Sequence, residues 1–476
     1  MIGRTQTFWL TGLDARRVDV EAEIHKGLPA FRVVGLADRA VQEARDRVRS
    51  GLTSSQYAFP GKRLTVNLAP AQERKEGSGF DLAIALAVLA ASGQLPPERV
   101  ERVAAAAEMG LDGSLRPVRG AMAMAEAAAR MELEALMLAP ESAAEAAAVE
   151  GVRVVPARTL AEAADILWGA VEPPPAPAPV QLPPAAQPDL ADVRGQQRAR
   201  RALEIAAAGR HNLLLIGPPG SGKSMLAQRL VGILPPLTRA EALEVTRAHS
   251  VAGLLPAGML AADRPFRAPH HSASAAALIG GASLRPGEVA LAHRGVLFMD
   301  ELAEFPRPAL ESLRVPLQER RVELARAAGR VVMPSDCIVV AAMNPCPCGH
   351  LGDPDRECTC PSQRLAAYRS RVSGPLLDRF DLRVQAPRAE SHGAPGEESA
   401  AVAERVAEAA RRLAGEELQL HPRAARLMQD AIGVRLLSGR GAARVVAVAR
   451  TIAALAGAGK VEGDHVAEAL SYRETP

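Results

Sequence analysis

The sequence predicts an α/β protein built from three folding units that follow one another along the chain. Three observations favour this prediction: an apolar run that enters a glycine-rich loop near residue 217, a proline-rich stretch before it, and amphipathic segments after residue 400. The apolar run predicts a strand before the loop, and the segment MLAQRLVGIL predicts a helix after it. The 476 residues leave ample material for buried cores.

The proline-rich stretch marks the first boundary between units. Residues 171–188 read VEPPPAPAPVQLPPAAQP, and proline both fixes φ and removes an amide donor. We therefore expect an extended spacer that forms neither helix nor sheet, with a docking motif for a proline-reading domain as the alternative. A softer boundary, ESHGAPGEES, follows residue 389. The predicted units are residues 1–170, 189–389 and 390–476.

Hydrophobic periodicity assigns elements in the outer units. Alternation over Val18–Ile24 and Leu64–Leu68 predicts strands, and the apolar run Phe80–Ala91 predicts a helix. The last unit is predicted to be a small helical domain, because amphipathic segments occur at Ala401–Leu413, Ala424–Ile432 and Ala443–Ala456.

Composition excludes several classes of protein. Charged residues make up 23% and hydrophobic residues 48% of the chain, and no apolar run reaches the length of about eighteen residues that a membrane-spanning helix needs. The first residues, Met1–Thr5, lead into polar sequence without the apolar region of a secretory signal, so we expect a cytoplasmic protein with no membrane partner. Four of the five cysteines lie close together, which argues against a disulfide scaffold.

Positive charge is concentrated in the second unit. The whole chain has a formal charge of +3, whereas residues 189–389 alone carry +7. This excess is compatible with a polyanionic partner, and equally with arginines that serve nucleotide phosphates and ion pairs. Aromatic residues make up only 3%, so any contact with single-stranded nucleic acid should be made mainly to phosphates.

The most specific motif is a phosphate-binding loop between an apolar strand and a helix. Its backbone amides can turn toward phosphate oxygens, and the helix N-terminus adds partial positive charge. Lys223 is expected to reach the β and γ phosphates and Ser224 to ligate Mg²⁺. The sequence therefore predicts a nucleoside triphosphate site. The loop consists of Gly217, Pro218, Pro219, Gly220, Ser221, Gly222, Lys223 and Ser224.

Two further apolar strands end in polar residues. GVLFM precedes Asp300 and Glu301, and VVAAM precedes Asn344. Asp300 can hold Mg²⁺ through its water shell, Glu301 can orient and deprotonate the attacking water, and Asn344 can position that water or touch the γ phosphate. An ordinary strand followed by a polar loop is the alternative, but the upstream phosphate loop favours the functional interpretation.

Four motifs in this order, GPPGSGKS, GVLFMDE, AAMNPCPCG and SGPLLDRFDL, carry a resemblance to a known group. The chain resembles AAA+ ATPases of the magnesium-chelatase-like branch, and within it the YifB/ComM family. That resemblance implies a hexameric, ATP-dependent motor on single-stranded or branched DNA, a helicase that promotes branch migration in recombination or natural transformation. It also implies a Lon-protease-like α+β domain at the N-terminus, an AAA+ P-loop core and a helical lid domain at the C-terminus.

The resemblance assigns roles to individual residues. Lys223 and Ser224 match the Walker A motif, Asp300 and Glu301 match Walker B, and Asn344 matches sensor 1.

Two arginines are assigned by the same resemblance. Arg379 in LLDRFDL matches the arginine that reaches the nucleotide of the neighbouring subunit, and Arg440 matches sensor 2, with Arg444 as the alternative. An arginine supplied by a neighbour offsets charge on the transferring phosphoryl group. We therefore expect assembly into a ring to be part of the mechanism, and a surface ion pair is the alternative role for each arginine.

The N-terminal unit departs from an active protease of the Lon type. Alignment with the Lon pattern places Gly79 at the position of the nucleophilic serine and Met122 at that of the lysine base. Neither side chain can perform that chemistry, and Ser78 is displaced by one residue. We expect an inactive protease fold used for assembly or substrate contact.

Four cysteines follow Asn344 in two close pairs. Four thiolates at this range can surround one Zn²⁺, although zinc ribbons usually separate each pair by two or more residues. Reduced structural thiols are the first alternative and a disulfide is the last, and His350 can replace one thiolate. Cys337 is expected to be simply buried. The candidate ligands are Cys346, Cys348, Cys358 and Cys360.

The interval from Lys223 to Asp300 is long for one crossover and must contain inserted structure. Loops of this insertion that face the pore of a ring are candidates to grip a DNA backbone, through Arg267, His270 and His271. A metal site at the two histidines is disfavoured, because no third ligand is evident. Arg326 and Arg330, before the strand that ends at Asn344, are candidates for a pore hairpin.

Three functions follow from these observations. The leading hypothesis is a motor on DNA; the second is a magnesium-chelatase-type subunit that drives metal insertion through a partner; the third is an ATP-dependent protease, which Gly79 and Met122 oppose.

Overall fold

The computed structural model describes residues 2–35, 39–71, 75, 77–326, 329–353, 356–388, 396–415, 417–433 and 437–473. Among these residues, no helix combines the length and the apolar character needed to cross a bilayer.

A mixed seven-stranded sheet forms the centre of the first unit. The strands in chain order are β1 (Ile2–Thr11), β2 (Asp14–His25), β3 (Ala30–Val34), β4 (Arg63–Ala69), β5 (Val103–Ala106), β6 (Glu108–Met109), β7 (Leu115–Arg116), β8 (Ala135–Leu138) and β9 (Arg153–Pro156). The helices are α1 (Arg39–Ser54), α2 (Asp81–Ala91), α3 (Pro97–Val100), α4 (Ala121–Arg130), α5 (Pro140–Ala146) and α6 (Leu160–Trp168). The sheet order is β3-β4-β2-β1-β5-β8-β9, and β6 pairs with β7.

Alternating burial explains the strands of this unit. Val18, Val20 and Ala22 of β2 are completely buried, while the residues between them are partly exposed, so one face of the strand packs on the core. The strand predictions for β2 and β4 are confirmed. Helix α2, also predicted, is buried along its whole length, because it packs against β1 and β2 on the core face of the sheet.

The second unit has a five-stranded parallel sheet with helices on both faces. Its strands, after the short β10 (Val180–Gln181), are β11 (Leu213–Ile216), β12 (Met259–Leu260), β13 (Phe266–Arg267), β14 (Val296–Met299), β15 (Arg321–Arg326), β16 (Gly329–Pro334), β17 (Ile338–Met343) and β18 (Leu382–Gln385). Its helices are α7 (Gln197–Gly209), α8 (Lys223–Ile233), α9 (Arg239–Ala252), α10 (Ala275–Ile279), α11 (Glu288–Leu291), α12 (Arg307–Ser312), α13 (Pro316–Glu319), α14 (Ser362–Arg369) and α15 (Gly374–Leu377). The sheet order is β13-β14-β17-β11-β18, with all neighbours parallel.

Both faces of this sheet are apolar because both are covered. Along β11, Leu213 and Leu215 pack into the core shared with the C-terminal helices. Leu214 and Ile216 point to the opposite core, which is shared with the insertion and the first unit. The predicted inserted structure before β14 is confirmed as α9, β12, β13, α10 and α11, and β15 and β16 form an antiparallel hairpin.

The last unit consists of four helices, α16 (Ser399–Gly415), α17 (Pro422–Gly433), α18 (Gly439–Leu455) and α19 (Gly463–Ser471), in the described part of the chain. Three of them were predicted from amphipathic periodicity. Helix α18 begins four residues earlier than predicted, because the Ser438 hydroxyl caps it by accepting from the Gly441 amide at 3.1 Å.

The linker departs from its prediction in one detail. It contains no helix, as expected, but Val180 and Gln181 pair with Met259 and Leu260 in a short parallel ladder. The prediction that this stretch forms no sheet is therefore wrong, because these two residues lie between prolines and keep their amide donors. The linker therefore contacts the insertion through this ladder.

The first unit contacts helix α9 of the insertion. The Ser250 hydroxyl accepts from the Gly120 amide at 2.9 Å, and Arg247 forms an ion pair with Glu126 at 3.0 Å. Residues of both units share one apolar core, which includes Leu136 and Val251. The first unit is therefore packed directly on the unit that holds the phosphate loop.

Candidate nucleotide-binding site

Three strand ends place the predicted site residues along one edge of the parallel sheet. In the register of the sheet, Ile216 lies beside Met343, and Met299 lies beside Ala341. The next residues along each strand therefore meet at the carboxyl edge. The Gly217 amide donates to the Met343 carbonyl at 3.2 Å, which fixes the start of the phosphate loop against the end of β17.

The glycines of the loop have different structural tasks. Gly217 passes so close to the backbone that a Cβ atom there would lie 2.0 Å from the Ala386 carbonyl oxygen. Gly220 and Gly222 have φ values of +75° and +79°, in the left-handed region that glycine adopts without strain. These turns lead the chain into α8, whose N-terminal amides face the loop.

Lys223 lies inside the loop and is only 9% exposed. Its ammonium donates to the carbonyls of Gly217 and Pro218, both at 2.8 Å, and reaches Oδ1 of Asn344 at 3.4 Å. Burial lowers the pKa of Lys223, while the charges of Asp300 and Glu301 oppose that change. A triphosphate in the loop would offer the ammonium charged acceptors in place of neutral carbonyls.

Ser224 and Asp300 form the pair expected for magnesium. The Ser224 hydroxyl donates to Oδ2 of Asp300 at 2.8 Å, and Oδ1 of the same carboxylate accepts from the Glu301 amide at 3.0 Å. A hydroxyl and a carboxylate are hard oxygen donors of the kind Mg²⁺ prefers, and Mg²⁺ sites of this type keep several waters. The residues present therefore fit a magnesium ion beside the phosphate loop.

Glu301 stands at the turn after β14 with an unusual backbone. Its φ of +52° is in the left-handed region, which costs a non-glycine residue free energy, and its side chain is 55% exposed. His271 Nδ1 lies 3.1 Å from Oε2 of Glu301. The sequence interpretation placed His271 in an open pore loop, whereas it lies beside the proposed base.

Other residues of the predicted pore loops also have partners. Arg267 lies on β13 and forms a two-bond ion pair with Glu288, at 2.7 and 2.9 Å. His270 Nδ1 contacts the Ser272 hydroxyl at 2.8 Å. The prediction that Arg267 lies in a loop is therefore wrong, because β13 pairs with β14 and Glu288 binds the guanidinium.

Gln196 borders the phosphate loop and was missed by the sequence interpretation. Its side-chain amide donates to the Ser221 carbonyl at 2.6 Å. Its own φ of +49° places it at the start of α7 in a left-handed conformation. A polar residue in a loop far upstream gives no signal in the sequence, since the contact exists only after folding.

Arg379 lies just before β18, at the edge of the sheet where the parallel strands begin. This edge is opposite to the carboxyl edge that carries the phosphate loop. The Arg379 carbonyl accepts from the side-chain amide of Asn212, which directly precedes β11. The guanidinium donates to the Arg314 carbonyl at 2.8 Å and to Oε1 of Gln318 at 2.9 Å. Burial and the charges of Arg314, Arg444 and Arg440 lower the pKa of Arg379.

The two sensor 2 candidates share this edge. Arg444 forms an ion pair with Asp381 at 2.8 Å, while Arg440 is exposed in the first turn of α18. The structure thus brings Lys223, Ser224, Asp300, Glu301 and Asn344 together. It does not bring Arg379, Arg440 or Arg444 to the same edge.

The four predicted cysteine ligands converge into one cluster. All four Sγ atoms lie within 4.8 Å of one another, and the Sγ of Cys346 lies 3.3 Å from that of Cys348 and 3.7 Å from that of Cys358. A hydrogen bond from the His350 backbone, followed by the Cys346 thiol, lowers the pKa of Cys348 to about 6. Cys337 lies apart and is half-buried, and burial of its thiol raises its pKa to about 12.

In the first unit, the residues at the protease-like positions have structural partners. The Met122 amide donates to the buried Glu145 carboxylate at 3.0 Å, and the Met122 side chain is buried. Gly79 precedes α2, and Ser78 bonds to Glu108.

Three family profiles match the chain. Residues 189–394 match the family described as magnesium chelatase, subunit ChlI; residues 20–142 match subunit ChlI of Mg-chelatase; residues 396–473 match the ChlI C-terminal region. The sheet order and the phosphate loop agree with this class, so the protein is a magnesium-chelatase-like ATPase of the AAA+ type.

Relatives that match nearly the whole chain identify the family more closely. A YifB protein of Salmonella typhimurium is 43% identical over 485 residues, covering 97% of this chain and 95% of its own. The competence protein ComM of Haemophilus influenzae is 42% identical over 488 residues, with the same coverage. An uncharacterised Mycobacterium tuberculosis protein is 43% identical over 500 residues, covering 100% of this chain and 99% of its own. The chain belongs to the YifB/ComM family.

Proposed function

We propose that the protein is an ATP-driven motor that acts on DNA as a ring of identical subunits, in unwinding or branch migration. The observation that carries the ATPase part is the contact set of Lys223, Ser224, Asp300 and Asn344 at one sheet edge. The DNA part is supported by the positive charge of residues 189–389 and by the competence protein ComM among the relatives.

The proposed division of labour follows the predicted units. Residues 1–170 form a Lon-protease-like domain without protease activity, 171–188 a linker, 189–389 the AAA+ core, and 390–476 the helical lid. Packing of α16 on α7 and α8, and of α18 on α7, supports the lid role, because movement of these helices would be transmitted to α8, which begins at the phosphate loop.

In the proposed reaction, the loop amides and Lys223 bind the β and γ phosphates. Ser224 and Asp300 would hold Mg²⁺, which neutralises charge on the phosphates when it is bound. Glu301 accepts a proton from the attacking water, and Asn344 orients that water. The oxygen of water forms a bond to the γ phosphorus as the bond to the leaving diphosphate oxygen breaks.

The arginines are proposed to serve the nucleotide of a neighbouring subunit. Four residues of β11 separate the carboxyl edge from the edge that holds Arg379, which corresponds to about 13 Å at the usual rise per residue. A guanidinium at one edge therefore does not reach a phosphate at the other edge of its own subunit. In a ring of subunits, which we propose to be a hexamer, Arg379 and Arg440 would face the next phosphate loop.

DNA is proposed to contact the β15–β16 hairpin. Arg326 and Arg330 flank its turn, and both side chains are exposed. Arg330 also pairs with Glu323 across the hairpin. Contacts to phosphates by such arginines would bind without regard to sequence, as a motor requires.

The cysteine cluster is proposed to bind one Zn²⁺. With zinc–sulfur bonds of about 2.3 Å, a tetrahedral site places its sulfur atoms about 3.8 Å apart. The Sγ separations of 3.3, 3.6 and 3.7 Å between three of the thiols approach this value.

A second candidate is a chelatase-type subunit that drives metal insertion through a partner protein. The family profiles favour it, since all three carry chelatase descriptions. Because the first unit also matches one of them, that unit does not separate the two candidates. The YifB and ComM relatives over the whole chain favour the DNA motor.

One assay separates the candidates. We expect ATP turnover to rise when forked or single-stranded DNA is added, without cleavage of casein. Strand displacement should require ATP and should be lost in Glu301→Gln, which keeps the size of the side chain but cannot accept the proton. ATP turnover that stays the same when DNA is added would contradict the proposed DNA motor. Cleavage of casein would support the disfavoured alternative, an ATP-dependent protease.

A further inference from the structure

The cysteine cluster lies directly against the phosphate loop. Gly349, inside the cluster, has a φ of +84° and stands so close to Pro219 that a Cβ atom would lie 2.5 Å from Cδ of its ring. Pro219 is the third residue of the phosphate loop, and its ring is exposed on the other side. The backbone at position 349 therefore packs directly against the phosphate loop.

The position of Gly349 is set by Cys346. The Gly349 amide donates to the Cys346 carbonyl at 3.0 Å, and the Leu351 amide donates to Cys346 Sγ at 3.3 Å. Cys346 is completely buried and follows Asn344 by two residues. Any group that fixes Cys346 Sγ thus fixes both the end of β17 and the contact with Pro219.

The outer pair of cysteines comes from a more distant part of the chain. Cys358 and Cys360 reach the cluster across the segment that contains Gly352, and Sγ of Cys358 lies 3.6 Å from that of Cys348. Closing this segment costs chain entropy, and thiol contacts alone are weak. Coordination of one ion by four thiolates would supply the missing stabilisation, with the thiol protons released to solvent.

We propose that the cysteine cluster is a metal-held brace for the phosphate loop: a zinc-class ion fixes residues 345–353, and Gly349 then holds Pro219 in the conformation that binds nucleotide. The brace rests on the proposed function in that ATP is taken as the ligand of the loop and Zn²⁺ as the ligand of the cluster. It goes further by making nucleotide affinity depend on the metal.

Two glycines of the same segment provide a matched pair of variants. Gly349 and Gly352 have similar positive φ values, +84° and +77°, but a Cβ at Gly352 would meet nothing within 4 Å. Gly349→Ala and Gly352→Ala therefore carry the same backbone strain, and only the first pushes on Pro219. In the full-length protein without DNA, affinity for a fluorescent ATP analogue and zinc content are measured for both.

We expect Gly349→Ala to weaken nucleotide binding about tenfold, the consequence of overpacking at a close contact, while it keeps its zinc. Gly352→Ala should match the wild type in both measurements. Equal affinity in the two variants would overturn the brace.

The metal is tested separately. The double variant Cys358→Ser with Cys360→Ser should lose zinc and bind the analogue as weakly as Gly349→Ala, whereas Cys337→Ser, outside the cluster, should keep both properties. Wild-type protein stripped by a chelator should lose affinity and regain it when zinc is added.

Two outcomes would reject the proposal: wild-type protein that carries no metal, or stripped protein that binds nucleotide as tightly as before. Because the assay contains no DNA, failure of the DNA motor would leave its result intact. Wild-type protein that binds no nucleotide at all would reject both the brace and the proposed function.

Discussion

At the scale of single residues, chemistry depends on where the backbone puts each side chain. Lys223 is an ordinary lysine whose pKa falls because the loop buries it beside its own carbonyls. Asp300 and Glu301 are adjacent in sequence, but Asp300 bonds to Ser224, whereas Glu301, with its left-handed backbone, contacts His271. Neither the burial nor the contact with His271 can be derived from the motif letters.

The contact between His271 and Glu301 predicts a positioning role. In His271→Ala the carboxylate loses the neighbour that directs it, so we expect kcat for ATP to fall about tenfold with little change in KM, since misplacement of a base acts on the chemical step. Steady-state turnover with saturating DNA measures both constants.

Two variants control this prediction. His271→Asn should recover most of the rate, because its amide can donate to Glu301 from nearly the position of Nδ1. His270→Ala should lower kcat less than His271→Ala does, because the His270 ring packs on the His271 ring, with centroids 4.1 Å apart, but its Nδ1 contacts Ser272 rather than Glu301. A KM that rises with an unchanged kcat in His271→Ala would contradict the positioning role.

At the scale of elements, the contact between the first unit and α9 contains a buried carboxylate. Glu145 of α5 is 3% exposed, accepts from the Met122 amide, and shares a hydrogen bond with Ser250. Burial raises its pKa above the ordinary value of 4.5, although both hydrogen bonds oppose the shift. The contact thus costs free energy whenever Glu145 is ionised.

This predicts a pH dependence of stability. Between the ordinary pKa and the raised pKa, the folded chain binds more protons than the unfolded chain, so stability falls as pH rises through that window. Glu145→Gln removes the titration and keeps an acceptor for the Met122 amide. We expect the variant to lose this pH dependence and to melt higher than wild type at neutral pH, measured by thermal unfolding from pH 4 to pH 8.

The control for this prediction is Glu126→Gln in the same contact. It removes the partly exposed partner of Arg247, a pair worth up to about 1 kcal/mol. A Glu145→Gln protein that keeps the slope of the wild type would show that another group causes it.

The β15–β16 hairpin gives a second prediction at this scale. Reversal of charge in Arg326→Glu should weaken the stimulation of ATPase by DNA and leave basal turnover unchanged, because the residue lies at the end of the hairpin, opposite Gly329, and among the described residues has no hydrogen bond or ion pair with the phosphate loop. Loss of one phosphate contact should reduce the slope of log affinity against log salt by about 1. Arg321→Glu, at the base of the same strand and paired with Glu319, is the control. If the two variants had equal effects, the proposal that the end of the hairpin contacts DNA would be contradicted.

At the scale of the whole molecule, the residues proposed to be catalytic are divided between two edges of one sheet. The phosphate loop, Asp300 and Asn344 lie at the carboxyl edge, whereas Arg379 and Arg444 lie where the strands begin. In a single chain, the proposed arginines therefore lie at the edge away from the nucleotide that the chain itself would bind. Completion by a neighbouring copy is the simplest arrangement in which both sets of residues act.

This predicts complementation between two inactive variants. Lys223→Ala cannot bind phosphate and Arg379→Ala cannot serve its neighbour, and loss of such an arginine costs about 10³-fold or more in rate. Mixed before assembly, the two should regain a fraction of wild-type turnover, because Lys223→Ala subunits supply Arg379 to intact phosphate loops. Turnover and ring size, from light scattering, are measured together.

The outcome that would contradict completion by a neighbour is wild-type turnover by Arg379→Ala alone. Mixed rings of normal size without recovered activity would have the same meaning. A melting temperature near that of wild type controls for Arg379→Ala, since this side chain also bonds Arg314 and Gln318 in its own subunit.

Much of the architecture follows from local sequence. The phosphate loop, the buried strands β11 and β17 and the amphipathic helices are specified by patterns of residues near in sequence, because glycine conformation and hydrophobic periodicity act over a few residues. The start of α18 was placed too late, since its cap at Ser438 lies outside the apolar pattern.

Only the tertiary structure determined the contacts between segments that are far apart in the chain. The pairing of the linker with β12, the approach of Gly349 to Pro219, the meeting of His271 with Glu301 and the separation of the arginines from the phosphate loop arise from the register of the sheet and the packing on it. Local patterns set which face of an element is buried. They do not set which distant element covers that face, because that choice depends on the combined packing of the whole chain.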